Sequence, residues 1–371
     1  MSLPIAIWLI LVFIMGCCVG SFINVCVYRL PLEKSVFWPG SHCGKCFSSI
    51  RWLDNIPLLS YWILGGKCRS CQASFSLRYF LVELFVGIVF TCLFYVDLLG
   101  NHFGLAFLSN KSWHISNGLI PWEGWAFFLS HALLASFLIT ASLTDIDCME
   151  IPLGITVWGT VLGLIYSSLF PWPFPEENFQ LVIKEGVENK WPFAPVLPFG
   201  GFPWPFWAPL ATDGFREGAF FYGFLQGLAG ALAGTFLLRI VRFCYGVGRG
   251  IEVMGLGDAD LMMMVGAFLG WQIVVVAFFL SVLPAFFMGM AQLLFRGSQA
   301  FPFGPSLAIS SVGTLYAWPW IAPKVQPFFF DAEILTLMGL MVLVGLGTLG
   351  IAFRFLLGKG SAEAPPGQGN S

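Results

Sequence analysis

The chain has 371 residues, of which 57% are hydrophobic and only 10% are charged. Soluble domains carry about 25% charged residues, so this composition excludes an ordinary soluble enzyme and indicates a protein with several membrane spans. The net charge of −2 gives no sign of a nucleic-acid partner. We expect the protein to be embedded in membrane lipid.

Nine apolar runs predict the membrane-spanning helices, since about 20 apolar residues cross a hydrocarbon core of about 30 Å. The sixth run is short, and its separation from the seventh at Gly270-Trp271 stays open. The first run has no basic start and no small-residue cleavage pattern before Arg29, so we expect a retained span. The runs cover residues 3–27, 79–99, 124–144, 152–171, 219–241, 259–271, 272–295, 304–322 and 334–357. The predicted fold class is an all-α polytopic membrane protein with about eight to nine transmembrane helices.

The distribution of Lys and Arg orients these spans, because cytoplasmic loops carry the excess of positive charge. If the segment 28–78 is cytoplasmic, 13 of the 18 basic residues lie at or near the cytoplasmic side. The external residues 172–218 are rich in proline and aromatic side chains, and we expect them to lie along the outer interface. The tail from Ser361 has the composition of a disordered end.

Four cysteines in the segment 28–78 form two CxxC pairs, and 21 residues separate the pairs. Four thiolates suit tetrahedral Zn²⁺, so we expect a small cytoplasmic domain stapled by zinc. Redox-active thiols and unliganded cysteines are the alternatives. A loop of about 50 residues builds little core of its own, which favours the metal. The expected ligands are Cys43, Cys46, Cys68 and Cys71.

Acidic residues occur at two predicted cytoplasmic ends of spans, where ionisable groups are candidates for function. Asp258 lies in GLGDADL, directly before an apolar run. Asp145 follows the third span and precedes Ile151-Pro152, which suits the start of the fourth span. The topology therefore predicts that Asp145 and Asp258 lie at the same membrane face.

Paired carboxylates can hydrolyse a peptide bond without a metal. Proximity keeps one acid protonated to polarise the carbonyl, while the ionised acid takes a proton from water. Gly255 and Gly257 would allow close approach of a substrate strand or of a neighbouring span. The alternative is that Asp145 and Asp258 are only helix N-caps at a polar interface.

The remaining polar residues near the spans have simpler interpretations. Asp147 and Asp260 are expected to be solvated or supporting, and Glu150 to be an interface charge. Three residues in or beside spans are expected to make hydrogen bonds between helices. They are Asn24, Glu83 and His131.

Longer motifs make the chain resemble the bacterial type IV prepilin peptidases, which are GxGD aspartic proteases and bifunctional leader peptidase/N-methyltransferases. The N-terminal part is similar in GSFINV at 20–25, YRLP at 28–31, PGSHC at 39–43, WLDNIPLLSY at 52–61 and SLRY at 76–79, leading to Glu83. The peptidase part is similar in Asp145 seven residues before Pro152, GLGD at 255–258 and PFGP at 302–305. The resemblance covers most of the chain.

The resemblance implies an inner-membrane enzyme that cuts the basic leader from prepilins and pseudopilins on the cytoplasmic side. It then implies methylation of the new N-terminal amine with S-adenosylmethionine. In the family motif D-x-D-x-x-x-[IL]-P the first acid is catalytic, which corresponds to Asp145, and its partner corresponds to Asp258. The four cysteines resemble the family's cytoplasmic zinc site. Asp147, Glu150 and Asp260 are expected to attract the basic leader.

The chain departs from the family pattern at two places. Many relatives have Lys two residues after the second catalytic acid, where this chain has Asp260, so a positive charge near that acid is missing. The loop 172–218 is longer than the family predicts. A glycine-rich dinucleotide fingerprint is absent from the sequence, so binding of the methyl donor rests on the resemblance of residues 20–83 alone.

Three regions organise these features. Residues 1–100 form the N-terminal region with the first two spans and the zinc domain 28–78; residues 124–300 form the peptidase core; residues 301–371 form the last spans and the tail. Peptidase activity without methylation is the alternative function. A transporter or proton relay, or a zinc-stapled scaffold without activity, explains less, because neither accounts for the pattern in residues 20–83.

Overall fold

The computed structural model of this protein describes residues 3–169, 215–249, 255–296, 301–330, 336–341, 344–345 and 348. Most of the predicted outer loop 172–218, the tail from Ser361 and most of the ninth apolar run lie outside these residues.

Helices make up nearly all regular structure in the described ranges. They are α1 (Leu3–Arg29), α2 (Leu59–Ile63), α3 (Leu77–Phe94), α4 (Ala106–Asn110), α5 (Ser112–Ser116), α6 (Trp122–Cys148), α7 (Leu153–Leu169), α8 (Phe215–Arg249), α9 (Leu256–Leu269), α10 (Trp271–Leu280), α11 (Val282–Arg296) and α12 (Gly304–Phe330). One short 3₁₀ turn, Leu30–Leu32, comes directly after α1, and another, Trp52–Asn55, lies before α2. A π-helical segment, Tyr95–Leu99, extends α3. In the same ranges, β-structure is limited to two isolated bridges near the cysteines.

Five helical stretches of the described residues are long and apolar enough to cross a membrane, the last of which joins α10 and α11. They cover Leu3–Leu32, Leu77–Leu99, Trp122–Cys148, Gly223–Phe243 and Trp271–Phe295. The apolar helix α7 is shorter, with 17 residues. The prediction of an all-helical membrane protein is confirmed, although length and composition identify five spans among the described residues rather than eight or nine. The separation at Gly270-Trp271, which the sequence left open, is present in the structure, because α9 ends at Leu269 and Gly270 has a φ of +80°.

Glycines allow α1 and α3 to pack with their backbones nearly in contact. A Cβ atom on Gly16 would lie 2.8 Å from the Cα of Gly87, and one on Gly20 would lie 2.8 Å from the Cα of Glu83. Lipid tails are as apolar as leucine, so membrane helices associate through such close packing and through interhelical hydrogen bonds. The pair α1–α3 thereby forms one side of the bundle.

The short helix α9 is held in the centre of the bundle by the same kind of contact. Gly230 and Gly234 of α8 lie against the backbone of Gly266 and Met262 in α9. From the other side, a Cβ on Gly163 of α7 would approach the Cβ of Ala267 to 2.9 Å. Five side chains of α9 have no exposed surface, namely Leu261, Met262, Met264, Val265 and Ala267. The position of α9 is therefore fixed on several sides.

Candidate active site

Two buried carboxylates lie at the same end of the bundle on different helices. Asp145 lies in the last turn of α6 and is 6% exposed, and Asp258 lies in the first turn of α9 and is 8% exposed. The charge of Asp145 acts directly on the carboxyl group of Asp258, so the two groups lie within electrostatic range of each other. Neighbouring carboxylates disfavour simultaneous ionisation, so a pair of this kind can share one proton.

The segment between α6 and α7 brings these two helix ends together. Helix α6 stops at Met149, which has a φ of +56° and donates its N–H to the carbonyl of Asp145. The chain then turns through Ile151 and Pro152 into α7. A Cβ on Gly257 would lie 3.0 Å from the Cβ of Ile151, so the missing side chain lets the start of α9 pack against this turn.

Neither acid is a helix N-cap, contrary to the alternative interpretation from the sequence. Asp145 lies near the C-terminus of α6, and the N-cap of α9 is Gly255. Asp258 accepts a hydrogen bond from the N–H of Gly255, in the manner of an acid in the first helical turn that reaches back to the cap. A Cβ on Gly255 would lie 3.7 Å from Oδ2 of Asp258, in ordinary van der Waals contact with the acid.

A third helix contributes to the site through its N-terminus. The N–H of Gly304, the first residue of α12, donates a 2.8 Å hydrogen bond to Oδ2 of Asp145. The positive end of the α12 dipole thus faces a carboxylate. A Cβ on Gly304 would lie 2.8 Å from the same oxygen, so the contact requires glycine. From the sequence, the PFGP motif that contains Gly304 was only a point of resemblance to the family, without a structural role.

Nearby acids outside this pair have basic partners or face solvent. Asp147 forms an ion pair of 2.7 Å with Arg78 of α3, and Asp260 forms one of 3.1 Å with Arg239 of α8. Glu150 is exposed. The pairing of Asp260 offsets its negative charge, so the local charge beside Asp258 is less negative than the sequence alone implies.

The four cysteines of the two CxxC pairs form one cluster. Their sulfur atoms all lie within 4.8 Å of one another. The distance from Cys43 Sγ to Cys71 Sγ is 3.8 Å, and that from Cys46 Sγ to Cys68 Sγ is 3.9 Å. Tetrahedral Zn²⁺ with Zn–S bonds of about 2.3 Å requires sulfur atoms about 3.8 Å apart, so these residues fit the metal.

The two CxxC turns have the same backbone geometry. In each turn, the N–H of the first cysteine, Cys43 or Cys68, bonds to the carbonyl five residues later. The residue four positions after it has a left-handed backbone, with φ of +56° at Phe47 and +57° at Gln72. This tight geometry points both sulfurs of a pair to one side, which explains why two separate turns converge on one centre.

Ion pairs and hydrogen bonds attach the cysteine segment to itself and to the bundle. Arg69 donates two hydrogen bonds, of 2.6 and 2.8 Å, to Asp54 and lowers the pKa of that carboxyl group. Glu83 of α3 accepts a 2.8 Å hydrogen bond from the N–H of Leu58, which has a strained φ of +61°. Arg29 donates hydrogen bonds to three backbone carbonyls of residues 35–40.

The polar residues predicted to join helices do contact other segments. Asn24 donates to the carbonyl of Tyr79 at 3.1 Å, so α1 is bonded to α3. His131 of α6 contacts Asp97 through Nδ1 at 2.8 Å, and the hydroxyl of Tyr316 donates to the other oxygen of Asp97 at 2.8 Å. The sequence analysis missed Asp97, although an acid within an apolar run of a span was the signal that could have identified it.

Two family models match separate parts of the chain. Residues 14–96 match the bacterial peptidase A24 N-terminal domain, and residues 205–290, which include Asp258, match the type IV leader peptidase family. No solved structure matches the chain.

Several relatives carry the name prepilin leader peptidase/N-methyltransferase. The protein of Myxococcus xanthus is 29% identical over 293 residues, which is 78% of this chain and 64% of that relative. The protein of Aeromonas hydrophila is 28% identical over 81% of this chain and 87% of its own length, and that of Pseudomonas aeruginosa is 29% identical over 83% and 90%. Two matching family domains and relatives that align along most of the sequence show that the chain is similar to the type IV leader peptidase family over most of its length.

Proposed function

We propose that this protein is a membrane aspartic peptidase that removes the leader from type IV prepilins and pseudopilins and then methylates the new amino terminus. The observation that carries the peptidase assignment is the meeting of Asp145 and Asp258, two buried acids from separate helices, at one end of the bundle. The relatives named above carry both activities in their names.

The geometry supports a mechanism in which the acid pair shares one proton. The protonated carboxyl polarises the scissile carbonyl, and the ionised carboxylate accepts a proton from the attacking water. The N–H of Gly304 holds Asp145 in position, and the N–H of Gly255 holds Asp258. Gly255 has no side chain and adjoins Asp258, so a substrate backbone would pass beside it.

The active end of the bundle belongs on the cytoplasmic side of the inner membrane. It contains the end of α1 and the starts of α3, α9 and α12, and it carries Arg29, Arg78 and the basic cysteine segment. Positive residues concentrate on the cytoplasmic side of membrane proteins, which supports this orientation. A leader that remains in the cytoplasm would reach the acids there.

An apolar groove between α3, α6 and α12 is the proposed site for the apolar helix of the substrate. It has a volume of about 700 Å³ and extends along α3 from Arg78 to Leu93. At 1.5 Å per residue this distance is about 22 Å, which accommodates about 15 residues of helix. Pro305 lines the groove next to Gly304, so the groove ends beside the acid pair.

The far end of the groove is tied together by one buried carboxylate. Asp97 lies in the π-helical extension of α3 and bonds to His131 of α6 and Tyr316 of α12. His131 and Tyr316 also line the groove. The three helices that form its walls are thus held at a fixed separation, and the depth to which a substrate helix enters has a defined limit.

The cysteine cluster is proposed to hold a structural Zn²⁺. A segment of this size has little core, and metal binding supplies the free energy that a small domain lacks. The cluster lies within the same cytoplasmic segment that contacts Glu83 through Leu58. The metal would therefore stabilise the loop beside the active end of the bundle.

Replacing either acid should abolish leader removal. With Asp145→Asn or Asp258→Asn we expect cleavage of a purified prepilin to fall at least about 100-fold, because the water loses its base or the carbonyl its acid. The rate is measured by mass spectrometry of the pilin amino terminus in detergent. Asp260→Asn, which affects a neighbouring acid paired with Arg239, should stay close to the wild-type rate. Wild-type processing by either of the first two variants would refute the assignment.

Gly304→Ala should reduce the rate of cleavage by about 10- to 100-fold, because its methyl group would displace Asp145 from its donor. Gly289→Ala on α11 is the control, since a Cβ there meets no atom within 4 Å and the residue lies outside the substrate groove. Single-turnover kinetics and thermal unfolding of both variants separate a local effect from loss of fold. Equal rates for the two variants would show that the Gly304 contact does not position the acid.

Gly313→Leu should raise the KM for prepilin by about tenfold, which corresponds to about 1.4 kcal/mol, because the side chain extends into the substrate groove. Gly289→Leu, at another open helical position on α11, should leave the KM unchanged. The measurement is a substrate titration with full-length prepilin. Equal effects of the two substitutions would place the substrate helix elsewhere.

Zinc content tests the cysteine cluster. Cys43→Ser and Cys68→Ser should each lower the metal from about one Zn²⁺ per chain to near zero and make residues 30–76 sensitive to proteolysis. Cys18→Ser, an exposed cysteine on α1, serves as the control and should retain the metal. Elemental analysis of the purified protein gives the result. Full zinc content in Cys43→Ser and Cys68→Ser would exclude these ligands.

A further inference from the structure

A second cavity lies at the active end of the bundle, on the other side of α6 from the acid pair. Its volume is about 370 Å³, which is within the range of sites for small molecules. It is formed by the end of α1, the start of α3 and the end of α6. Its lining includes Tyr28, Ser76, Arg78, Tyr79, Asp147 and Cys148.

We propose that this cavity binds S-adenosylmethionine, the methyl donor of the second reaction; the inference rests on the proposed function. The polar groups of the cavity match a zwitterionic ligand. Arg78 and Asp147 present opposite charges side by side, at 2.7 Å, and the methionine part of the donor carries a carboxylate and an ammonium group. The positive N-terminus of α3, capped by Ser76, adds to the attraction for the carboxylate.

The aromatic groups of the cavity match the adenine ring. Tyr28 is 58% exposed and Tyr79 is 46% exposed. Both lie at the end of the bundle that is proposed to face the cytoplasm. Exposed tyrosines beside a cavity provide flat surfaces on which a base can stack. Asn24, which bonds to the carbonyl of Tyr79, helps to fix this wall. The residues present therefore fit both ends of the donor.

The cavity is also placed correctly for a substrate that has just been cleaved. Arg78 lines both this cavity and the substrate groove, so the two spaces meet at the Arg78–Asp147 ion pair. Asp145 and Asp147 are two residues apart on one helix, which places them about 200° apart around α6. The new amino terminus would move around one helix end, a distance of about 10 Å, while its apolar helix stays in the groove.

The group transfer balances with these components. The α-ammonium group of the cleaved pilin first loses a proton to water. The amine nitrogen then forms a bond to the methyl carbon as the carbon–sulfur bond breaks. The sulfur keeps the electron pair of that bond and becomes a neutral thioether, and the methylated amine carries the positive charge. Asp147, held by Arg78, lies where it can stabilise that charge.

Protection of Cys148 tests the site without any methylation. This cysteine is exposed and lines the cavity. Purified full-length protein in detergent is treated with a maleimide, and peptide mapping gives the rate at Cys148 and at Cys18, which lies outside the cavity. Saturating S-adenosylmethionine should slow labelling of Cys148 at least about fivefold, since a bound ligand excludes the reagent, and should leave Cys18 unchanged.

Tyrosine truncation provides the second measurement. Tyr28→Ala and Tyr79→Ala should each weaken donor binding, measured by calorimetry, by about tenfold, or about 1.4 kcal/mol. Cleaved but unmethylated pilin should accumulate, with the cleavage rate close to wild type. Tyr95→Ala, which removes a tyrosine that is 57% exposed and lies outside the cavity, is the matched control and should behave as wild type.

Two results would overturn the inference in different ways. Donor binding that leaves Cys148 labelling and both tyrosine variants unchanged would refute this site but not methylation. Cleavage by a wild-type protein that neither binds the donor nor methylates the pilin would refute the methyl-transfer half of the proposed function, and this site with it.

Discussion

The close approach of glycine-bearing helices is the constraint on which the candidate active site depends. Within lipid the hydrophobic effect does not draw helices together, so contact area and backbone proximity decide the packing. Gly230 and Gly234 let α8 touch the backbone of α9, and Gly163 lets α7 pack against it from the other side. Asp258 lies at the start of α9, which these contacts hold against α7 and α8, so helix packing positions it relative to Asp145.

The ion pair between Arg78 and Asp147 has a comparable role between the two halves of the molecule. Arg78 belongs to the region that matches the N-terminal family domain, and Asp147 lies in the terminal turn of α6 with Asp145. The substrate groove and the second cavity both reach this pair. Cleavage of the leader and methylation of the new amino terminus require two sites on the same side of the membrane. The proposed substrate groove and the second cavity adjoin at the Arg78–Asp147 ion pair.

The sequence could predict which residue types lie at the active end, but not how they are held. Alternation of the spans indicates that residues 145 and 258 share a membrane face, and the CxxC spacing indicates a metal cluster. The donor to Asp145 could not be inferred, because Gly304 is 159 residues away along the chain. The buried Asp97 was missed for a different reason, since its apolar neighbours suggested an ordinary span. The GxxxG spacing of Gly230 and Gly234 is a local sequence signal for the close packing of α8 on α9.

The sequence by itself determined the membrane class, the helical fold, the family resemblance and the set of chemically capable residues, because hydropathy, charge bias and motif spacing are local properties of the chain. Only the tertiary structure decided which of those residues are neighbours. It placed Gly304 on Asp145, Arg78 on Asp147, and His131 and Tyr316 on Asp97. These contacts join separate helices, and their geometry follows from packing angles and backbone distances that no single segment encodes.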